Sequence, residues 1–346
     1  MLAGAAAGSV LDKAVLALIF GPRSPSSDSK MRSKRLKFII FAREIGAWPL
    51  LPTSTANMFR YALWLPANGV KSGWKGVRNY LTEVANWNKQ LGFDDPRDAV
   101  PFHWAQFRLN FRRLVTAEHP SVKLPIRPAM LLAMALDADL GSPTDLRDIA
   151  CYFMLFFTGL RVGHVAATSP QDAPHALRFE DLCFLPSFAH CEKVLICVRS
   201  TKTRFRASGL PFWTVIRHHP HLDFCPVALL QAHYIVAFKG DPRGFVFTAS
   251  TSSVPLPRRT FTNSLRTRLE AVRHRLSIDF DLSKFSGVSF RKGCLSTLGA
   301  LGVPAHRLAD HADHASVESS RSYTVDTIED RAANSDYIAS AFVSAT

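Results

Sequence analysis

Between residues 64 and 115 the apolar positions recur at spacings of three and four, the period of a helix that buries one face. In GVRNYLTEVANWNKQLGF the stripe is Val77, Tyr80, Val84, Trp87 and Leu91, and the opposite side carries Lys75, Arg78 and Lys89. PFHWAQFRLNFRRLV repeats the arrangement, with Trp104, Phe107, Phe111 and Leu114 inside and Arg108, Arg112 and Arg113 outside. TAEHPSVKLPIRP then breaks the period with prolines and reads as a linker. SPTDLRDIACYFMLFFTGLR predicts a buried helix with Ser142 as N-cap, Pro143 in its first turn and Gly159 as its breaker. From about Leu177 to Val215 the pattern turns to strands: KVLICVRSTKT and LPFWTVI flank the basic, glycine-bearing RFRASG, which predicts a hairpin. Helical spacing returns in RTFTNSLRTRLEAVRHRL and in SFRKGCLSTLGALG, and no internal repeat is evident.

These elements predict a mainly α chain with a small antiparallel β-sheet, in two domains. The expected boundaries are a flexible basic leader over 1–35, a helical domain over 36–115, a linker over 116–128 and a mixed α+β domain over 129–346.

Charge narrows the partner. Forty-two Lys and Arg against 28 Asp and Glu give a net charge of +14, which favours a polyanion, nucleic acid first, over an acidic protein. The candidate phosphate contacts are therefore Lys75, Arg78, Lys89, Arg108, Arg112 and Arg113, while Trp87 and Trp104 are assigned to the core. The bland alternative is a generally basic surface without such a partner. The six cysteines contain no CxxC pair and read as buried thiols of a reducing compartment. HHPHLDFC lacks a second ligand cluster at a metal-binding spacing, so it reads as a proline-bearing loop and no metal is assigned. The apolar runs AVLALIF and CYFMLFF are too short to cross a bilayer, so no membrane partner is expected.

The candidate chemistry lies in four islands. TGLRVGH places Arg161 at a helix end, STKT places Lys202 beside the hairpin turn, and SGVSFRKG places Arg291 at a helix start. DHASVESSRSYT supplies His314 and, nine residues later, Tyr323; only Ala315 and Val317 between them are apolar, so the tyrosine is expected in a polar setting. Taken together and in this order, the islands resemble the motifs of the tyrosine recombinase family, the phage integrases and their relatives in eukaryotic mobile elements. LRFEDL is similar to an aromatic and acidic segment of that family, KLPIRPAML to its entry into the catalytic domain, and YLTEVANWNKQLGF more loosely to its helical core-binding domain.

The resemblance implies a two-domain clamp on double-stranded DNA, a core-binding domain followed by a tyrosine recombinase catalytic domain, assembled as a homo-tetramer on paired DNA sites. It also implies strand cleavage through a 3′-phosphotyrosyl link, with no metal, ATP or other cofactor. Arg161 and Arg291 would clamp the non-bridging oxygens, since paired guanidiniums offset the charge that builds there. Tyr323 would attack, His314 would hydrogen-bond the phosphate, and Lys202 would protonate the departing 5′ oxygen. Arg204 gives up a proton far less readily and is kept as a DNA contact, while Lys193 and Lys284 remain other candidates for the acid.

Two departures from the family pattern stand out. Where the family usually has His-x-x-Arg this chain has Val288-Ser289-Phe290-Arg291, and His164 stands where the family often has an acidic residue. Two readings follow: a working strand transferase, or a descendant that binds DNA without transferring strands. The retention of both arginines, His314 and Tyr323 favours the first.

Overall fold

The computed structural model describes residues 25–71, 73–115, 122–168, 170–199, 212–249, 254–276 and 279–312. The chain divides into two compact units, residues 1–122 and 123–346.

The first unit is built from α1 (Pro25–Glu44), α2 (Thr55–Ala67), α3 (Gly73–Gln90) and α4 (Pro101–Leu114). Its core gathers Phe38, Phe41, Met58, Tyr61, Leu65, Val77, Leu81, Val84 and Phe111. Residues 25–35, expected within a flexible leader, lie in α1. Their Ser, Pro and Lys content imitates a linker, but Phe38, Phe41 and Ala42 further along anchor the helix in the core.

The stripe on α3 is rotated from the expected one. Val77 and Val84 are buried as expected, but Leu81, Ala85 and Asn88 complete the face. Leu91 lies beyond the helix end and is exposed, because the chain turns at Gly92 with φ +84°. Trp87 is instead covered by the Arg35 guanidinium, 4.9 Å from its ring centre. Asn88, fully buried, is satisfied on both sides: its amide nitrogen donates to Val84 O (3.0 Å) and its oxygen accepts from Thr53 N (3.0 Å). On α4 only Phe111 is buried, and Leu114, expected inside, is 75% exposed at the last turn.

The second unit is organised around α6 (Pro143–Thr158), which packs against α5 (Pro128–Asp137), α7 (Pro226–Ala237), α9 (Val288–Ala300) and strand β4 (Phe212–Arg217). Nearly every residue of α6 from Leu146 on is buried. Ser142 occupies the N-cap position without a side-chain cap bond, and Pro143 opens the helix as expected. Two charges inside this apolar helix, Arg147 and Asp148, are held in a network. Asp148 Oδ1 accepts from the Arg147 guanidinium, Oδ2 accepts from Ser264 Oγ, and Arg268 bridges Asp148 to Asp145. Ser264 and Arg268 belong to α8 (Arg258–Ala271), so the network ties α6 to α8.

The hairpin forms with β3 (Lys193–Val198) paired antiparallel to β4 (Phe212–Arg217), and β2 (Leu182–Leu185) adds a third antiparallel strand. Alternation along β4 buries Phe212, Thr214 and Ile216 and leaves Trp213, Val215 and Arg217 outward. The same alternation places Cys183 on the outer side of β2, exposed, where a buried thiol was expected. A two-residue parallel pair, β1 (Ala166–Ala167) with β5 (Leu256–Pro257), was too short to leave a period in the sequence. No helix among the described residues is long and apolar enough to cross a membrane.

Candidate active site

The site begins where α6 ends. Gly159 has φ +61° and donates its N–H to Leu155 O (3.0 Å), closing the helix in the left-handed conformation that favours glycine. The reversal sends Leu160 into the core and brings Arg161, half-buried, to the start of a 3₁₀ turn spanning Val162–His164.

The second arginine arrives from α9 through two close backbone approaches. A Cβ on Gly287 would fall 2.4 Å from Val162 Cβ, and one on Gly293 would fall 2.0 Å from Ile126 O. No larger residue fits at either point. Residues 122–127 run alongside, with Leu124 N donating to Lys284 O (3.0 Å) and Ile126 N to Ser289 O (2.9 Å). Thus residues 123–128 of the expected linker belong to the second unit, with Ile126 fully buried. This packing sets the Arg161–Val162 segment against the start of α9 and carries Arg291 beneath the end of α6.

Arg291 is 3% exposed. It donates from Nη1 to Gly159 O (2.8 Å) and from Nη2 to Ala312 O. Both acceptors lie at helix C-terminal ends, where backbone carbonyls lack partners along the helix and the macrodipole favours a cation.

His164 lies within the field of both arginines. Its Nδ1 is 3.2 Å from His175 O, so that nitrogen carries the proton. Burial lowers its pKa to about 4, and the charges of Arg161 and Arg291 act in the same direction. It is a neutral imidazole, not a substitute carboxylate. His311, at the end of α10 (Ala305–His311), donates from Nε2 to Phe157 O (3.1 Å). Burial lowers its pKa as well, with Arg291 again adding to the effect. In the sequence His311 is marked by nothing beyond the recurrence of Asp-His in ADHADH, and the spacing to Tyr323 points to His314 instead.

Val288 is the first residue of α9 and half-buried. LRFEDL has a clear local role. Buried Asp181 accepts from Arg178 N (2.8 Å) and from Arg199 Nε (2.7 Å), while Glu180 accepts from Arg199 Nη2 (2.5 Å). Arg199 is the residue after β3, so this acidic segment fixes the root of the hairpin.

The structure places Arg161 and Arg291 so that the charges of both act on His164. Lys202, Arg204, His314 and Tyr323 lie outside the described residues. Lys193 and Lys284 are both exposed. Of the expected phosphate contacts in the first unit, Lys75, Arg78, Arg108, Arg112 and Arg113 are exposed, and Arg112 lies 6.0 Å from the centre of the Trp74 ring. Lys89 is engaged: its Nζ lies 3.2 Å from Asp95 Oδ2, beside a 2.6 Å pair between Arg97 and the same carboxylate. The Arg97 hydrogen bonds, aided by the Lys89 contact, outweigh the opposing effect of burial and hold Asp95 far below the usual carboxylate range. Among the described residues no group of three or more His, Cys, Asp or Glu side chains is placed to hold a metal ion.

No family model matches the sequence, and no curated protein matches it. Solved structures do resemble the fold. The Tn1549 transposon integrase in complex with transposon right end DNA aligns over 94% of this chain and 98% of its own, with a TM-score of 0.58 and 13% identity. A λ integrase dimer bound to a COC′ core site aligns over 92% and 95%, with a TM-score of 0.54 and 15% identity. The XerH site-specific recombinase in its pre-cleavage complex with difH aligns over 87% and 76%, with a TM-score of 0.52 and 13% identity. With these likenesses spanning both units, the chain has the fold of the tyrosine recombinases: mainly helical, with one small antiparallel sheet.

Proposed function

We propose that this protein is a site-specific DNA strand transferase of the tyrosine recombinase type. The observation that carries the reading is that Arg161 and Arg291, 130 residues apart in the numbering, both act on His164, with Gly287 close against Val162 between them. In this reading the two guanidiniums offset the negative charge that a pentacoordinate phosphate develops on its non-bridging oxygens.

In the proposed reaction the Tyr323 phenol oxygen attacks a DNA phosphorus, and the bond to the 5′ oxygen breaks. The phenol gives up its proton to water, Lys202 donates one to the departing 5′ oxygen, and a 3′-phosphotyrosyl ester remains. His314 hydrogen-bonds the phosphate. The reverse attack by a 5′ hydroxyl reseals the strand, so the ester's energy is retained and no ATP is required. The first unit serves as the core-binding domain, with Lys75, Arg78, Arg108, Arg112 and Arg113 on phosphates. Lys89, already paired with Asp95, contributes less than its exposed neighbours. Arg204 adds a contact from the hairpin, and a homo-tetramer on paired sites is the working assembly.

One observation favours a second reading, a recombinase-derived protein that binds DNA without cleaving it: Val288, which neither donates nor accepts a proton, opens the helix that bears Arg291. A nicked suicide duplex separates the two. The strand-transferase reading requires a covalent protein–DNA adduct that disappears in Tyr323→Phe. Retention of salt-sensitive DNA binding with no adduct under any condition supports the binding module. A gain in cleavage by Val288→His at unchanged affinity identifies the missing imidazole as limiting.

A further inference from the structure

Helix α10 is short, Ala305–His311, and its apolar anchorage is slight: Leu308 and Ala312 join Leu295 in a small cluster beside the main core. Leu298 and Val303 pack against this cluster, and two polar contacts add to the attachment. His311 Nε2 donates to Phe157 O at 3.1 Å, and Arg291 spans Gly159 O and Ala312 O. Phe157 and Gly159 are among the last carbonyls of α6, which have no acceptor role left within the helix. A donor placed there satisfies a group that burial would otherwise leave costly. The His311 ring also lies over the turn itself, since a Cβ on Gly159 would sit 3.6 Å from its Cδ2. Through this arrangement one imidazole and one guanidinium dock the end of α10 onto the end of α6. In sequence the chain then runs from Ala312 directly into the segment bearing His314 and Tyr323.

We propose that His311 is a positioning residue for strand cleavage: its bond to Phe157 O locks α10 in place and fixes the point from which the tyrosine-bearing segment departs. The inference rests on the strand-transferase reading for its effect on rate, but the lock itself does not. A misplacement of about 1 Å at the reacting atoms is enough to slow a reaction by about 10²-fold, whereas DNA affinity comes from contacts elsewhere.

The test compares wild type with His311→Leu, which fills similar space without a donor, and His311→Gln, which keeps an N–H donor. Two measurements are made on the full chain. One is adduct formation with the nicked duplex at saturating DNA, alongside Kd; the other is amide hydrogen exchange. The expected result is an adduct rate about 10- to 100-fold lower in His311→Leu, Kd within about twofold of wild type, and substantial recovery in His311→Gln. Exchange should rise in peptides covering 305–312 and stay unchanged in β2, β3 and β4. Unaltered exchange at 305–312, or an equal rise throughout the second unit, overturns the proposal, as does a loss of rate matched by a loss of affinity. If wild type itself forms no adduct, the strand-transferase reading fails, and the exchange measurement still decides whether the lock exists.

Discussion

The two units use arginine in opposite ways. In the first, Arg78, Arg108, Arg112 and Arg113 stand in solvent on helices whose other faces make the core. In the second, Arg291 is almost wholly buried and its placement depends on Gly287, Gly293, Gly159 and Ala312. An exposed guanidinium is fully hydrated and loses little by waiting for a ligand. A buried one has its desolvation offset by fixed carbonyls, and its position is set by surrounding backbone. The first kind gives affinity in graded, replaceable steps; the second gives geometry, which fails as a unit.

The sharpest way to break this contrast is at a residue with no charge. Gly293→Ala drives a Cβ to 2.0 Å from Ile126 O and should destabilise the second unit by about 3 kcal/mol or more. Arg108→Ala or Arg113→Ala in the first unit should stay within about 0.5 kcal/mol of wild type. Urea unfolding monitored separately for each unit makes the comparison. Equal effects would mean that the close approach at Gly293 does not constrain the fold.

Acid offers a second probe, because the second unit buries histidines whose pKa burial lowers. His164 has its pKa lowered from 6.5 to about 4, so above pH 6.5 it is neutral whether folded or unfolded. As pH falls below 6.5 the unfolded chain takes up a proton that the folded chain refuses. Stability therefore drops, by about 2 kcal/mol at pH 5 from this residue alone, and the loss is complete below about 4. His233 and His311 are shifted in the same direction and add to it. The depressed carboxylates Asp95 and Asp145 act in a lower window, losing their contribution as pH falls below their ordinary 3.8. Denaturant midpoints at pH 7.5 and 5 should converge in part for His164→Asn; identical pH slopes in variant and wild type would show that His164 is not held neutral.

The smallest effects belong to the exposed faces. Each of Lys75, Arg78, Arg108, Arg112 and Arg113 that contacts a phosphate should, when replaced by Ala, lower the slope of log K against log salt by about 0.9. Lys89→Ala should change it less, given the Asp95 pair. Filter binding on random duplex DNA over a range of salt measures this, and an undiminished slope removes a residue from the interface.

The comparison also explains what the sequence made legible. Hairpin, buried helix and αL stop were readable because alternation, apolar runs and glycine each act locally. KVLICV and FWTVIR pair as their period-two pattern required, and Gly159 ends α6 as expected. The phase of α3 was misjudged because Tyr80, Trp87 and Leu91 match a helical spacing as well as Leu81, Ala85 and Asn88 do. Only packing decides between them, and it buries an asparagine that composition alone would place outside. Helix α1 was hidden by its linker-like composition. Motif order carries information across the chain, which is why it singles out Arg161 and Arg291, two residues whose charges both act on His164. His311 was not found, and neither was the Arg147–Asp148 network. A buried polar residue is recognisable only through its partners, here Phe157 O and Ser264, which are 154 and 116 residues away.

The central claim is that the two guanidiniums act on a single phosphate. It is tested most directly by a double-mutant cycle on the rate of adduct formation with the nicked duplex, using Arg161→Lys, Arg291→Lys and the pair, each checked for native unfolding. Convergence on one phosphate predicts losses of about 10²- to 10³-fold for each single variant and a double variant little worse than the poorer single. Losses that multiply, or a wild-type chain that forms no adduct, would contradict it.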